Sequence, residues 1–361
     1  MAAPPLPDFD ITPSLAPPPG VVPNFENPES IRTIIDFTLG ICIGVSSLFV
    51  LLRIWTRFFI VKMHGWEDYT MIIAWLMFIA YITLGFLAEQ YGSGIHQWDV
   101  PLSHFFKFLY LANVLEVLYN PVIFTTKLSI LLQYKRIFCP HNSGTTYWLI
   151  HVLIWSNLLY YIAVMIPQIV VCNPREKAWH PYLPGKCLDL PSILITGAVV
   201  NIISDFSILI LPVHSIWKLQ MSRSRKYGVT AIFATGLFAC VSSIMRLYNN
   251  VIFKTTEDIT YNLSGVALWT IAEITSGMIC GCLPLLPNLF RHFVPKIKNS
   301  MTWGGSKGTN KTNRATKGND SELSAIRMDN MERKYMQGEY IELDGRPQVL
   351  PRHMVGGPEN V

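Results

Sequence analysis

The stretch LEVLYNPVIFTTKLSILLQYKRIF, Leu115 to Phe138, decides the fold. It is apolar over a length that crosses a bilayer, yet it carries an acid (Glu116), a helix-kinking residue (Pro121) and a base (Lys127). A charged side chain at mid-bilayer costs about 2.5–3.5 kcal/mol on insertion scales, so such residues must face partners across a bundle and not lipid. Outward from this stretch the same texture recurs. Near-continuous apolar runs cover Ile34 to Ile54, Tyr69 to Ala88, Phe105 to Tyr134, Tyr147 to Val171, Pro191 to Trp217, Val229 to Phe253 and Leu263 to Leu286. At 1.5 Å rise per residue each run spans a hydrocarbon core of about 30 Å, whereas buried helices of a soluble protein would show polar stripes at helical period. Half of the 361 residues are hydrophobic and 15% are charged. The expectation is an all-α membrane protein, a seven-transmembrane-helix bundle whose first partner is the lipid bilayer.

Orientation follows from the short connections. Arg53, Arg57 and Lys62 follow the first span, Lys135 and Arg136 the third, and Lys218, Arg223, Arg225 and Lys226 the fifth. The other side has fewer bases, diluted by Asp8, Asp10, Glu26, Glu29, Glu89, Asp99, Glu176, Asp189, Glu257 and Asp258. The N-terminus is therefore expected outside and the C-terminus in the cytosol. The net charge of +5 reflects this asymmetry and carries no nucleic-acid signal. Residues 1–33 read as a disordered, proline-rich extracytosolic segment without the basic and apolar regions of a signal peptide, residues 34–291 as the membrane domain, and residues 292–361 as a disordered cytosolic tail.

Of seven cysteines, Cys172 and Cys187 alone fall in a non-cytosolic loop, so they are expected to bridge, which is worth about 3 kcal/mol for a loop of this length in the chain-entropy model. Cys139, Cys280 and Cys282 lie near the cytosolic face, where palmitoylation is conceivable. His96, His104 and His180 lie outside, but their spacing fits no metal-ligand pattern, so YGSGIHQWDV (Tyr91 to Val100) reads as interfacial hydrogen bonding with a Trp anchor. The Asn262 sequon abuts the seventh span, too close to the membrane for modification.

GWEDYTMIIAW (Gly65 to Trp75), YGSGIHQW, KLSILLQYKRIF, the Cys172–Cys187 loop, SDFSILILPVHSIWKLQMSRSRKYGV, IFATGLFACVSSIMRL and LWTIAEITSGMICGCLPLL follow one another in an order that resembles the fungal rhodopsin-domain integral membrane proteins. The likeness covers about Ile34 to Arg291. It implies a seven-helix fold and, for some members, a receptor-like role. Two departures stand out: the acidic pair after Gly-Trp is Glu67-Asp68, and no cysteine precedes Cys42, so the N-terminal CFEM-type module of some relatives is not expected here. The seventh span contains no lysine for a retinal Schiff base, and no retinal or other cofactor is expected. Asp-Arg-Tyr and Asn-Pro-x-x-Tyr sequences are absent, so G-protein coupling would rest on topology alone.

Five ionisable residues lie deep in spans: Glu116, Lys127, Asp205, Arg246 and Glu273. Their depths predict two pairs, Glu116 with Arg246 and Lys127 with Asp205. Glu273 is left over, to be protonated or to meet a cationic or hydrogen-bonding ligand. Pro121 is expected to kink its helix and free a carbonyl toward the cavity, while Tyr119 and Trp269 read as aromatic packing. The five residues form a polar core or a ligand cavity. No catalytic motif is present and no metal site is assigned. Two functions stand: a receptor-like sensor of a small-molecule or lipid ligand with a cytosolic signalling partner, or an intramembrane enzyme or transport component acting on a lipophilic metabolite. The plasma membrane is the default address, with an internal membrane as the alternative.

Overall fold

A computed structural model describes residues 9–139, 144–216 and 223–285, together with a short antiparallel ladder pairing Glu342–Leu343 with Arg346–Pro347 in a separate C-terminal unit. The expected tail over 292–361 and the basic residue Lys218 lie outside the residues whose packing is described.

Seven helices are long and apolar enough to cross a membrane. They are α1 (Arg32–Trp55), α2 (Trp66–Gln90), α3 (Leu102–Phe138), α4 (Thr145–Ile169), α5 (Leu190–Ile216), α6 (Arg223–Thr255) and α7 (Ile259–Cys282). Every apolar run of the sequence corresponds to one of them. α1 continues through a π-helical turn, Thr56–Val61, which keeps Arg57 within the helix. The large apolar side chains that point outward, Phe37, Ile41, Leu48 and Trp55 on α1 and Trp148, Trp155 and Leu159 on α4, form a lipid-facing rim, while Lys127, Arg246 and Glu273 are buried. This inverts the pattern of a soluble bundle. Across its most apolar window α7 is 72% buried and α4 only 17%. Accordingly α7 forms the axis, packed against α1, α2, α3 and α6, and α4 lies at the edge.

One end of the bundle carries the disulfide loop. Cys172 and Cys187 are disulfide-bonded, and the flanking residues form the ladder of β1 (Cys172–Asn173) and β2 (Lys186–Cys187). At this end the described residues of the N-terminal segment are tied to the bundle by backbone hydrogen bonds. The backbone N–H groups of Leu102 and Ser103, in the unpaired first turn of α3, donate to Thr12 O (3.0 Å) and Phe9 O (3.0 Å). Ser14 Oγ donates to Gln97 O (2.7 Å), Asn24 N to Asp99 Oδ1 (2.8 Å), and Ile31 N to Gly94 O (3.0 Å). The carbonyls of Phe9 and Thr12 thus suit a helix start that has only donors to offer.

Residues Tyr91–Pro101 complete this cap. Gly92 and Gly94 have φ of +112° and +79°, and a Cβ on Gly94 would meet Ile35 Cδ1 at 2.7 Å, so the turn needs glycine there. His96 Nδ1 lies 2.6 Å from Asp258 Oδ2, and its ring stacks between Trp98 and Tyr261. Asp258 also caps α7, accepting from Tyr261 N. His104 instead packs edge-on against Tyr91, and His180 lies beside Phe106 and Tyr182, so the three histidines do not converge. The Asn262 amide is held by Asp258 O at 2.8 Å inside the first turn of α7.

Candidate functional site

Midway along the bundle, five helices meet in a polar lattice. Lys127 Nζ of α3 lies 2.7 Å from Asp205 Oδ1 of α5 and donates to Asn201 Oδ1 (2.9 Å) and Ser204 Oγ (3.2 Å). The other Asp205 oxygen accepts from Ser243 Oγ of α6 at 2.6 Å. Asn201 is the hub. Its Nδ2 lies 2.7 Å from Glu273 Oε1 and 3.1 Å from Asp205 Oδ2, one hydrogen for each, while its Oδ1 accepts from Tyr161 of α4. Glu273 of α7 takes a further hydrogen bond from Tyr119 (3.2 Å) and lies 2.9 Å from Arg246 Nε of α6. That last contact is close but poorly aligned, an ion pair by distance with no hydrogen bond along it. The guanidinium carbon of Arg246 sits 4.6 Å from the Tyr119 ring centroid, a cation–π contact that spreads its charge over an aromatic face.

The lattice settles where each predicted residue goes. Lys127 and Asp205 stand together as the sequence depths suggested. Arg246, however, pairs with Glu273 and not with Glu116, and the leftover carboxylate is Glu116. The cause is rotational: span depth ranks residues along the membrane normal but is blind to the direction in which α6 presents Arg246, and Tyr119 holds that guanidinium toward α7. Glu116 makes no hydrogen bond or ion pair through its side chain among the described residues. It opens instead on a cavity of about 50 Å³ between α1, α2, α3 and α7, walled by Leu39, Tyr81, Ala112, Ala267 and Ile271. Lys127, Asp205 and Glu273 border a different cavity of about 40 Å³ between α3, α5, α6 and α7. The carbonyl freed by Pro121 does not face either space as an open acceptor: the Asn120 amide donates to Glu116 O (3.0 Å), reaches Val117 O, and bonds Gln168 Oε1 (2.5 Å) of α4.

At the end away from the disulfide lies a second charged lattice. Arg53, 2% exposed, pairs with Asp68 (2.8 Å) and donates to Gln133 Oε1 (2.5 Å), Gly281 O (2.5 Å) and Glu67 O (3.1 Å). One side chain thus ties α1 to α2, α3 and α7. Glu67 receives Arg136 at 2.5 Å and Arg57 at 3.5 Å, and its carbonyl accepts from Ser129 Oγ. Asp68 also takes the Gly65 N–H, closing the first turn of α2.

The sequence pattern that defines the fungal rhodopsin domain matches residues 52–292. The chain belongs to the fungal rhodopsin-domain family. A SAT4 family membrane protein of Emericella nidulans is 39% identical over 250 residues, covering 69% of this chain and 61% of that protein. The match therefore leaves more than a third of that relative's length unaccounted for. Fugralins biosynthesis cluster protein 2 of Gibberella zeae is 30% identical, with 77% of this chain and 71% of that protein covered. Receptor GIN3 of Arthrobotrys oligospora is 25% identical, with coverages of 78% and 68%. No solved structure matches.

Within this rhodopsin-domain chain, sequence reasoning missed the second lattice. Arg53, Arg57 and Arg136 entered the reading only as topology signals, and Glu67-Asp68 only as part of a motif. The available signal was burial by continuation: helical spacing from Val50 carries Arg53 onto the inner face, four residues before Arg57. Cys139, Cys280 and Cys282 are buried, so none offers an accessible thiol for acylation in this conformation.

Proposed function

We propose that this multi-pass membrane protein is a receptor-like sensor, with its disulfide end outside the cytosol, that takes a small lipophilic ligand into the Glu116 cavity. The observation that carries this reading is the uneven matching of buried charge. Asp205 and Glu273 already have cationic partners, whereas Glu116 faces open space beneath the cap. Tyr119 follows Glu116 by three residues on the same face of α3 and bonds Glu273, so a change at the cavity reaches the lattice through one turn of helix. The opposite end then faces cytosolic partners, and the plasma membrane is the address that suits an outward-facing cavity. Similarity to Receptor GIN3 supports the same reading.

A second reading has its own support. Relatives carry the names Fugralins biosynthesis cluster protein 2 and Wortmanamides biosynthesis cluster protein C, which favours a membrane component that handles or moves a lipophilic metabolite. As an enzyme it would lack a free acid at the lattice, because Asp205 and Glu273 are both engaged. Removal of the gene from the source organism, followed by untargeted metabolite profiling and transcript profiling on changed surfaces and nutrients, separates the two. The sensor reading expects an unchanged metabolite profile with altered transcript responses. Loss or accumulation of a metabolite with normal responses overturns it in favour of the second.

A further inference from the structure

We infer that the Glu116 cavity is a binding site for a small lipophilic amine, whose ammonium group pairs with the Glu116 carboxylate while its hydrocarbon body fills the space between α1, α2, α3 and α7. The inference deepens the sensor reading and rests on its assignment of this cavity as the ligand site.

Three observations converge on this chemistry. First, Glu116 has no ion-pair partner among the described residues, and Arg246, which acts on it electrostatically, is held by Glu273. A cationic guest would supply the missing charge. Second, the remaining polar groups on the wall are already engaged: Ser93 and Ser264 share a hydrogen bond at 3.1 Å, and Thr270 Oγ1 donates to Val266 O at 2.8 Å. A guest therefore meets one strong acceptor set in otherwise apolar surroundings, which suits a single cluster of N–H donors on a hydrocarbon body. An anionic guest would be repelled, and a purely apolar one would leave the carboxylate without a cationic partner. Third, the space is small, about 50 Å³, and Ser93 of the cap borders it at one end. That limits the body to a very short hydrocarbon chain.

The test uses full-length protein in lipid nanodiscs, with n-alkylamines of about one to three carbons as probes and n-alkanols of matched length as controls. Wild type is compared with Glu116→Gln, which keeps shape and removes the charge, and with Ala267→Leu, which fills the cavity and leaves the acid. The inference expects a saturable rise in thermal midpoint with amines for wild type, an affinity about tenfold weaker in Glu116→Gln, and no saturable response in Ala267→Leu. Alkanols should bind more weakly than amines to wild type and be indifferent to Glu116→Gln. Equal response to amines and alkanols, unchanged in Glu116→Gln, would overturn recognition of the charge while leaving a ligand cavity. No saturable response of wild type to either probe, or the same response in all three proteins, would sink the cavity assignment itself. If Glu116→Gln yields no folded protein, Glu116→Asp withdraws the carboxylate by one methylene and is expected to weaken amines selectively.

Discussion

The two ends of the bundle treat buried charge in opposite ways. Away from the disulfide, Arg53, Arg57 and Arg136 interleave with Glu67 and Asp68 so that one guanidinium reaches four helices including its own. Toward the disulfide, a lone carboxylate borders a cavity, and the roof above it is held by a histidine–aspartate contact and a returning N-terminal segment. The first arrangement clamps helices α1, α2, α3 and α7 against one another. The second leaves the same four helices with space between them. The four helices are thus tied to one another at one end and separated by a cavity toward the other.

The strongest way to break this contrast is at the clamp. Arg53→Ala leaves Asp68 with Arg57 alone and takes the donor from Gln133 Oε1, Gly281 O and Glu67 O in a buried site, and is expected to cost about 3–5 kcal/mol, measured as loss of folded protein in a thermal or denaturant titration in detergent. A loss below about 1 kcal/mol would mean that the clamp carries little of the fold. The mid-bundle pair comes next. Lys127→Met alone should destabilise strongly by leaving Asp205 without its cation, whereas Lys127→Met combined with Asp205→Leu should recover most of that loss, because an apolar pair needs no compensation. Equal losses in the single and double variants would show that the pair itself is worth having. At the disulfide end, replacing Cys172 and Cys187 by serine is expected to cost about 3 kcal/mol, with faster amide exchange confined to residues near the cap and none gained around Arg53. The smallest effect belongs to His96→Ala, about 1 kcal/mol, read as roughly fivefold faster exchange across residues 92–101. Acceleration that spread to the far end would erase the distinction between the two.

What the sequence revealed follows from the kind of information each feature needs. Helix number and span came through because hydropathy is a one-dimensional signal, and the disulfide came through because the compartment left few candidates. The Lys127–Asp205 pair was legible from depth. The Arg246 pairing was not, since rotation about the α6 axis is set by Tyr119 and α7, not by depth. Arg53 escaped for a related reason: a base near a helix end signals topology equally well whether it faces headgroups or, as here, the interior. The bonds of the N-terminal segment were not legible, because composition does not say which donors its backbone carbonyls meet.

That segment also dictates an order of assembly. Ser14 bonds Gln97 across 83 positions of chain, and the donors that receive Thr12 and Phe9 belong to a helix that begins only at Leu102. The segment thus has no docking site until the Gln97 turn and the first turn of α3 are in place, so this part of the roof closes only after α1 and α2 have formed.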